Sequence, residues 1–301
     1  MDERFERYDR EAAEKLRHRL AEGVLLAQGP MGSVLQGEPG GADIPSALWN
    51  VAEPQTVSRH HLLYATAGAE VLITNSFQAN ALSLQRDRID RRVGEMNRAA
   101  VDCARVRGVE LLLGSVGPCG LASSLHGSPE FERSCAAYRQ QAYALLDAGV
   151  SGILLETFTS LAELDPALAG VFDVADGMPV LASVVIDEEG RLLKDGLPIE
   201  SALSYLQERG VDAAGVNCCS LSAAARAVPR MVEAASLPLM VRPNGGAPIG
   251  YEDGAVQWGE HPDAFVQACD AWVKRGVRLV AGCCGTSART TCALAGLLDK
   301  L

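Results

Sequence analysis

Eight short aliphatic runs recur along the 301 residues, and they constrain the fold more than any other feature. They are 24–28 (VLLAQ), 70–74 (EVLIT), 110–115 (ELLLGS), 152–156 (GILLE), 179–186 (PVLASVVI), 213–217 (AAGVN), 238–242 (PLMVR) and 278–282 (RLVAG). Nearly unbroken apolar character over so few residues is what a strand buried on both faces requires. Helix-like amphipathic stretches separate most of them, most clearly at 54–67 and 130–148. Five runs are entered through a glycine followed by Ala or Val: Gly68-Ala69, Gly108-Val109, Gly149-Val150, Gly210-Val211 and Gly276-Val277. Glycine at such a step ends a helix in the left-handed conformation, and the next residue enters the strand. Eight βα units in about 280 residues predict an α/β chain folded as a single (β/α)8 TIM barrel. The barrel domain is expected to span 1–301, with 1–22 as a helical extension. An open doubly wound sheet alternates in the same way and is the runner-up, but neither the GxGxxG turn of its dinucleotide-binding form nor a Walker A sequence is present. The turn after the first run reads Ala27-Gln28-Gly29-Pro30-Met31-Gly32, and no linker or charge block divides the chain. The Gly/Pro-rich stretch 36–46 is expected to be a mobile loop.

Charge narrows the partners. Lys and Arg number 27 against 38 Asp and Glu, a formal net charge of −11. Nucleic acids and anionic membranes select clustered cations, so neither is an expected partner. No apolar run reaches the roughly 18 residues of a membrane span. The charged N-terminus lacks the apolar core and cleavage site of a signal peptide. The expected compartment is the cytoplasm, where nine cysteines stay reduced and do not form a disulfide framework. The charged N-terminal helix is expected to be a solvated cover or a homo-oligomer contact.

In such a barrel the chemistry sits at the C-terminal ends of the strands. Those ends carry Gln28-Gly29, Thr74-Asn75-Ser76, Gly117-Pro118, Glu156-Thr157, Asn217-Cys218-Cys219, Pro243-Asn244-Gly245 and Gly282-Cys283-Cys284. Two adjacent cysteine pairs on one rim stand out. Neighbouring cysteines rarely bridge each other, because the bond strains the peptide between them. Metal ligation or plain packing as small hydrophobes remain. Cys218 meets the second pair in space if the sixth and eighth strands flank the seventh. Three thiolates select zinc over magnesium or calcium and leave one tetrahedral position open. Three thiolates on a divalent ion leave a net charge of −1, poor for activating water but suited to holding a fourth, nucleophilic thiolate. The expected chemistry is displacement at an alkyl group by a thiol substrate. The histidines are not expected to ligate: His18, His60 and His61 read as surface residues of helices. His126 and His261 read as loop residues, His126 within reach of the rim.

Gly215-Val216-Asn217-Cys218 and Gly282-Cys283-Cys284-Gly285-Thr286 resemble the two zinc motifs of the homocysteine S-methyltransferases. The likeness runs from about residue 24 to 298 and includes the segments at 68–80, 114–118, 155–157 and 243–246. It implies a zinc ion held by Cys218, Cys283 and Cys284, with Cys219 outside the motif. It implies that Glu156 contacts the ammonium group of homocysteine, with backbone groups near Gly29 holding the amino-acid end. Asn244 matches an Asn that approaches zinc in some members. Asn75 and Asn244 are expected either to bind substrate or to cap turns. The chain departs from the pattern at three places. Gln28 stands where the family has an Asp that helps hold the ammonium group, a loss of roughly 1–3 kcal/mol in binding. Arg242 replaces a frequent aromatic and would meet a carboxylate, a phosphate or a partner protein. Ala281 replaces a glycine.

The mechanism implied is attack of a zinc-bound homocysteine thiolate on a methyl group, followed by release of methionine. The donor is expected to be a small methyl-sulfonium or ammonium compound, or a separate methyl-corrinoid protein, since the chain carries no folate or corrinoid domain. Two alternatives stand. One is a methyltransferase for another thiol, or a component of corrinoid-linked demethylation. The other is a non-catalytic zinc-binding protein.

Overall fold

The computed structural model describes residues 7–41, 44–122, 125–252 and 255–300. Strands β1 (Leu25–Leu26), β2 (Val71–Ile73), β3 (Leu111–Val116), β4 (Gly152–Phe158), β5 (Val180–Val184), β6 (Ala213–Asn217), β7 (Leu239–Arg242), β8 (Pro248–Glu252), β9 (Ala255–Trp258) and β10 (Val277–Val280) follow in chain order. Eight are parallel neighbours in the order β1-β10-β7-β6-β5-β4-β3-β2. A parallel bridge between Ala27 and Val71 joins the two ends. It is flanked by Gln28 N–H donating to Val71 O (2.9 Å) and Glu70 N–H to Leu26 O (2.8 Å). The result is a (β/α)8 TIM barrel, with all five entry glycines left-handed at φ 80 to 103°.

The aliphatic run at 213–217 matches β6 end for end. The first run shortens to Leu25–Leu26, because Ala27 and Gln28 are held by single bonds at the closing seam. The fourth extends to Phe158 through an irregularity after Leu155. The helix-like stretches are Pro54–Thr66 and Pro129–Asp147, each opened by a proline whose missing N–H costs nothing in a first turn. The antiparallel hairpin β8/β9 lies outside the eight aliphatic runs. Its first strand is exposed throughout, so it lacks the apolar run that marked the barrel strands.

Alternation along each strand sorts side chains into two cores. Leu111, Leu113, Leu154, Leu181, Ala213, Met240 and Leu279 point into the barrel, while Leu112, Ile153, Leu155, Val180, Val216 and Val241 face the helices. The same parity turns Ser115, Glu156, Asn217 and Arg242 inward at the C-terminal end. The helix Arg10–Glu22 lies at the opposite end. Its Leu16 and Leu20 belong to the interior cluster, closing the barrel from below, while its other face stays in solvent. Burying each leucine contributes about 1.5–3 kcal/mol. Of the helices described, none is long and apolar enough to cross a membrane.

Candidate active site

A cavity of about 620 Å³ opens at the C-terminal end of the barrel. Its floor holds the sulfurs of Cys218, at the end of β6, and of Cys283 and Cys284, just beyond β10. These three Sγ atoms lie within 4.8 Å of one another, with Cys218 and Cys284 3.7 Å apart. Their convergence follows from the sheet order, in which β7 separates β6 from β10. Backbone bonds lock the rim loops together. Cys283 N–H donates to Pro243 O (2.7 Å), Gly245 N–H to Cys284 O (2.9 Å), and Cys218 N–H to Arg242 O (3.1 Å). Gly285 sits at φ 78°, and a Cβ there would come 2.5 Å from the Trp258 ring on β9. The hairpin therefore seals this side of the site.

Cys218 (φ 56°) and Thr157 (φ 67°) both occupy the left-handed region, costly for residues with a Cβ. Asn217 links the two places. Its Oδ1 accepts from Thr157 N–H (2.9 Å) and Ser183 Oγ (2.7 Å), and its Nδ2 donates to Thr157 Oγ1 (2.8 Å) and to Cys283 Sγ (3.8 Å). In the sequence Asn217 stands at a strand end and inside the first zinc-like motif, but its bracing role is not legible there. Its place beside Cys218 is the one signal the sequence offers.

Three thiols this close do not ionise together. Cys283 is held well below the usual thiol range by hydrogen bonds from Cys218 and Cys284, with Arg242 adding its positive charge. Cys218 is held above it, because it donates to Cys283 and Cys284. Cys284 is pushed up to about 12: its contact with Cys218 lowers it, but the bond to Cys283, burial and the Cys283 charge prevail. A cation among the sulfurs reverses this balance. The donor set fits zinc on two counts. It is all sulfur, and tetrahedral zinc–thiolate bonds of ~2.3 Å space sulfurs roughly 3.8 Å apart. Cys219 points away into the outer core.

Glu156 and Arg242 form a buried ion pair on the cavity floor, Arg242 Nη1 donating to Glu156 Oε2 at 2.7 Å. Ser115 Oγ donates to the other oxygen, Oε1. The arginine thus meets a carboxylate of its own barrel. Burial opposes its charge, but Glu156, Cys283 and Cys218 restore it. Gln28 and Gly29 line the wall. Gln28 Oε1 is bonded to His61 Nδ1 at 2.9 Å. His61 is fully buried, which corrects its reading as a surface residue: the helix Pro54–Thr66 turns it toward the barrel. Burial lowers its pKa to about 3. A Cβ on Gly29 would come 2.8 Å from the Tyr64 ring, so only glycine lets the chain turn here.

Asn75 lines the cavity, but its amide is used within the fold. Nδ2 donates to Ser46 O (2.7 Å) and Asn50 Oδ1 (3.1 Å), and Oδ1 accepts from Ser46 Oγ (2.6 Å). Asn244 is not among the residues lining this cavity but stands beside the sulfur site, its N–H donating to Cys219 O (2.8 Å) and its buried Oδ1 without a partner among the described residues. It lines a neighbouring hollow beside Ser220 and Pro248, and its Nδ2 donates to Cys218 O at 3.2 Å. None of the five histidines lines the main cavity, and His126 bonds Asp165 at 2.8 Å instead. The stretch 36–46 supplies Gln36, Gly41, Ile44, Pro45 and Ser46 to one wall, residues 42–43 lying outside the described residues.

The homocysteine S-methyltransferase profile matches residues 25–298. The chain is 30% identical over 288 residues to methionine synthase of Mycobacterium tuberculosis, covering 89% of this chain but only 24% of that protein. It is 29% identical over 297 residues to homocysteine S-methyltransferase of Escherichia coli, covering 90% of this chain and 94% of the relative. The crystal structure of the metallated form of the Escherichia coli homocysteine methyltransferase MmuM superposes with a TM-score of 0.75 at 27% identity, over 93% of this chain and 99% of that one. Fold, rim and sequence agree: the chain belongs to the homocysteine S-methyltransferase family.

Proposed function

We propose that this protein transfers a methyl group to the thiolate of homocysteine, giving methionine, at a zinc ion held by Cys218, Cys283 and Cys284. The observation that carries the reading is the convergence of three sulfurs within 4.8 Å on the cavity floor. The names of the Escherichia coli relatives agree with it. Zinc bound there supplies a positive charge that keeps an incoming thiol deprotonated at neutral pH. The chain's own residues do the rest. Asn217 donates to Cys283 Sγ and fixes its orientation. The buried guanidinium of Arg242 offsets the negative charge of the sulfur cluster. Gly29, whose N–H has no acceptor among the described residues, is free to bind the amino-acid end of the substrate. The cavity holds the acceptor sulfur in line with the donor methyl group. The new S–CH3 bond forms as the bond to the leaving group breaks, and the leaving group keeps the electron pair. The donor is a small methyl-sulfonium or ammonium compound or a separate methyl-corrinoid protein. A reducing, cytoplasmic compartment suits nine unpaired thiols.

The test is zinc content followed by X-ray absorption at the zinc edge, with and without homocysteine. The reading expects one zinc per chain and a change from three sulfur ligands to four when homocysteine is added. Reduced protein without zinc, or zinc unmoved by homocysteine, overturns it.

A further inference from the structure

One helix braces the turn that follows β1. Pro54–Thr66 buries Val57, His61 and Tyr64. Tyr64 Oη donates to Pro30 O at 3.0 Å and its ring abuts Gly29, which fixes the backbone of the turn. His61, on the same buried face, holds the Gln28 side chain, with Nδ1 and Oε1 2.9 Å apart. Both residues are enclosed, His61 at 0% and Gln28 at 1% exposure. The two ends of an amide have nearly the same shape, so the ring nitrogen decides which end it receives. His61 Nε2 is buried with no partner among the described residues. A proton on Nε2 would leave an orphaned buried N–H, a rarer and costlier defect than an unused acceptor. A neutral ring protonated at Nδ1 leaves only a bare lone pair there. That ring donates, and Gln28 meets it with its oxygen. The amide NH2 is then the end left for the cavity that Gln28 lines.

We propose that His61 is a positioning residue for the acceptor site: protonated at Nδ1, it holds the Gln28 oxygen, so that the Gln28 amide donates into the cavity, to the carboxylate of the acceptor. The carboxylate follows from the chemistry of homocysteine, whose only oxygen acceptors are there. Glu156, whose oxygens each keep a lone pair beyond the bonds from Ser115 and Arg242, is left for the ammonium group. With a carboxylate at position 28 the same histidine would leave an acceptor facing the cavity; with glutamine it leaves a donor. This proposal rests on the homocysteine reading above.

Two measurements on the zinc-loaded full chain test it. The first is long-range nitrogen–proton NMR of the unaltered protein at neutral pH, with the His61 ring assigned through its backbone. Nδ1 should carry the proton; a proton on Nε2 overturns this proposal alone. The second is calorimetric titration with homocysteine. His61→Leu removes the donor while filling its volume, and should bind at least about tenfold more weakly, the loss of one hydrogen bond to a charged group. His61→Asn restores an amide N–H near the place of Nδ1 and should recover most of that loss. In Gln28→Ala, adding His61→Leu should cost no further affinity, because the residue that His61 positions is already gone. A histidine that only packs gives the opposite order, with leucine tolerated better than asparagine, and that order overturns the proposal. An equal loss from His61→Leu with and without Gln28 overturns it too. Failure of the unaltered protein to bind homocysteine overturns the acceptor reading, and this proposal with it.

Discussion

Removing Arg242 should destabilise the protein far more than its single ion pair suggests. Its side chain is 3% exposed and that of Glu156 is 9% exposed, with 2.7 Å between Nη1 and Oε2. An exposed pair of this geometry contributes at most about 1 kcal/mol. Here Arg242→Met strands a carboxylate among apolar walls and thiolates, and the expected cost is about 3–5 kcal/mol. Glu156→Gln leaves the guanidinium facing only the sulfur cluster and should cost less than Arg242→Met. The double variant leaves neither charge unpaired, so its cost should fall well below the sum, a coupling of several kcal/mol between groups in direct contact. Urea unfolding of the four proteins in one metal state, followed by circular dichroism, completes the cycle. Single variants that each lose less than about 1 kcal/mol, with additive effects, would refute the description of this pair as buried and mutually dependent.

Other consequences are equally direct. Serine at Cys218, Cys283 or Cys284 should abolish zinc retention measured by elemental analysis, whereas Cys219→Ser should keep one zinc per chain, because Cys219 packs in the outer core. Leu16→Ala opens a cavity at the base of the barrel and should cost about 2–5 kcal/mol in urea unfolding; a loss under 1 kcal/mol would contradict its place in the interior cluster. His61 is neutral in the folded state, with its pKa lowered to about 3 from 6.5, so below pH 6.5 the unfolded chain binds a proton that the folded chain does not. Stability should therefore fall as pH drops from 6.5 toward 3, and His61→Gln should remove up to one proton's worth of that slope between pH 6.5 and 4.5.

Much of the architecture is legible in the chain because it depends on local chemistry. The run at 213–217 is legible as a strand because it is a short, nearly unbroken apolar run entered just after a glycine step, although Ala, Gly and Asn are individually weak strand formers. Gly68, Gly108, Gly149, Gly210 and Gly276 are left-handed because a Cβ resists that conformation, whatever surrounds them. The hairpin β8/β9 escaped notice for the converse reason: exposed strands need no apolar pattern. The burial of His61 is not legible in the sequence, because a histidine on an amphipathic helix has the same local pattern whether its face meets solvent or a barrel.

The amino-acid sequence by itself determined eight βα units, the cysteines at two strand ends, and the alternation of side chains along those strands, but not which alternate set points inward, because the runs are apolar on both faces. Alternation is a property of the extended backbone and needs no partner. What Glu156 and Arg242 do was decided only when the barrel closed. They lie 86 residues apart in the chain and 2.7 Å apart across the floor. The separation of two inward side chains depends on strand order, tilt and barrel radius, and those are set by the whole sheet at once. The same closure turned Gln28 toward His61 and brought three sulfurs together above a base plugged by Leu16 and Leu20.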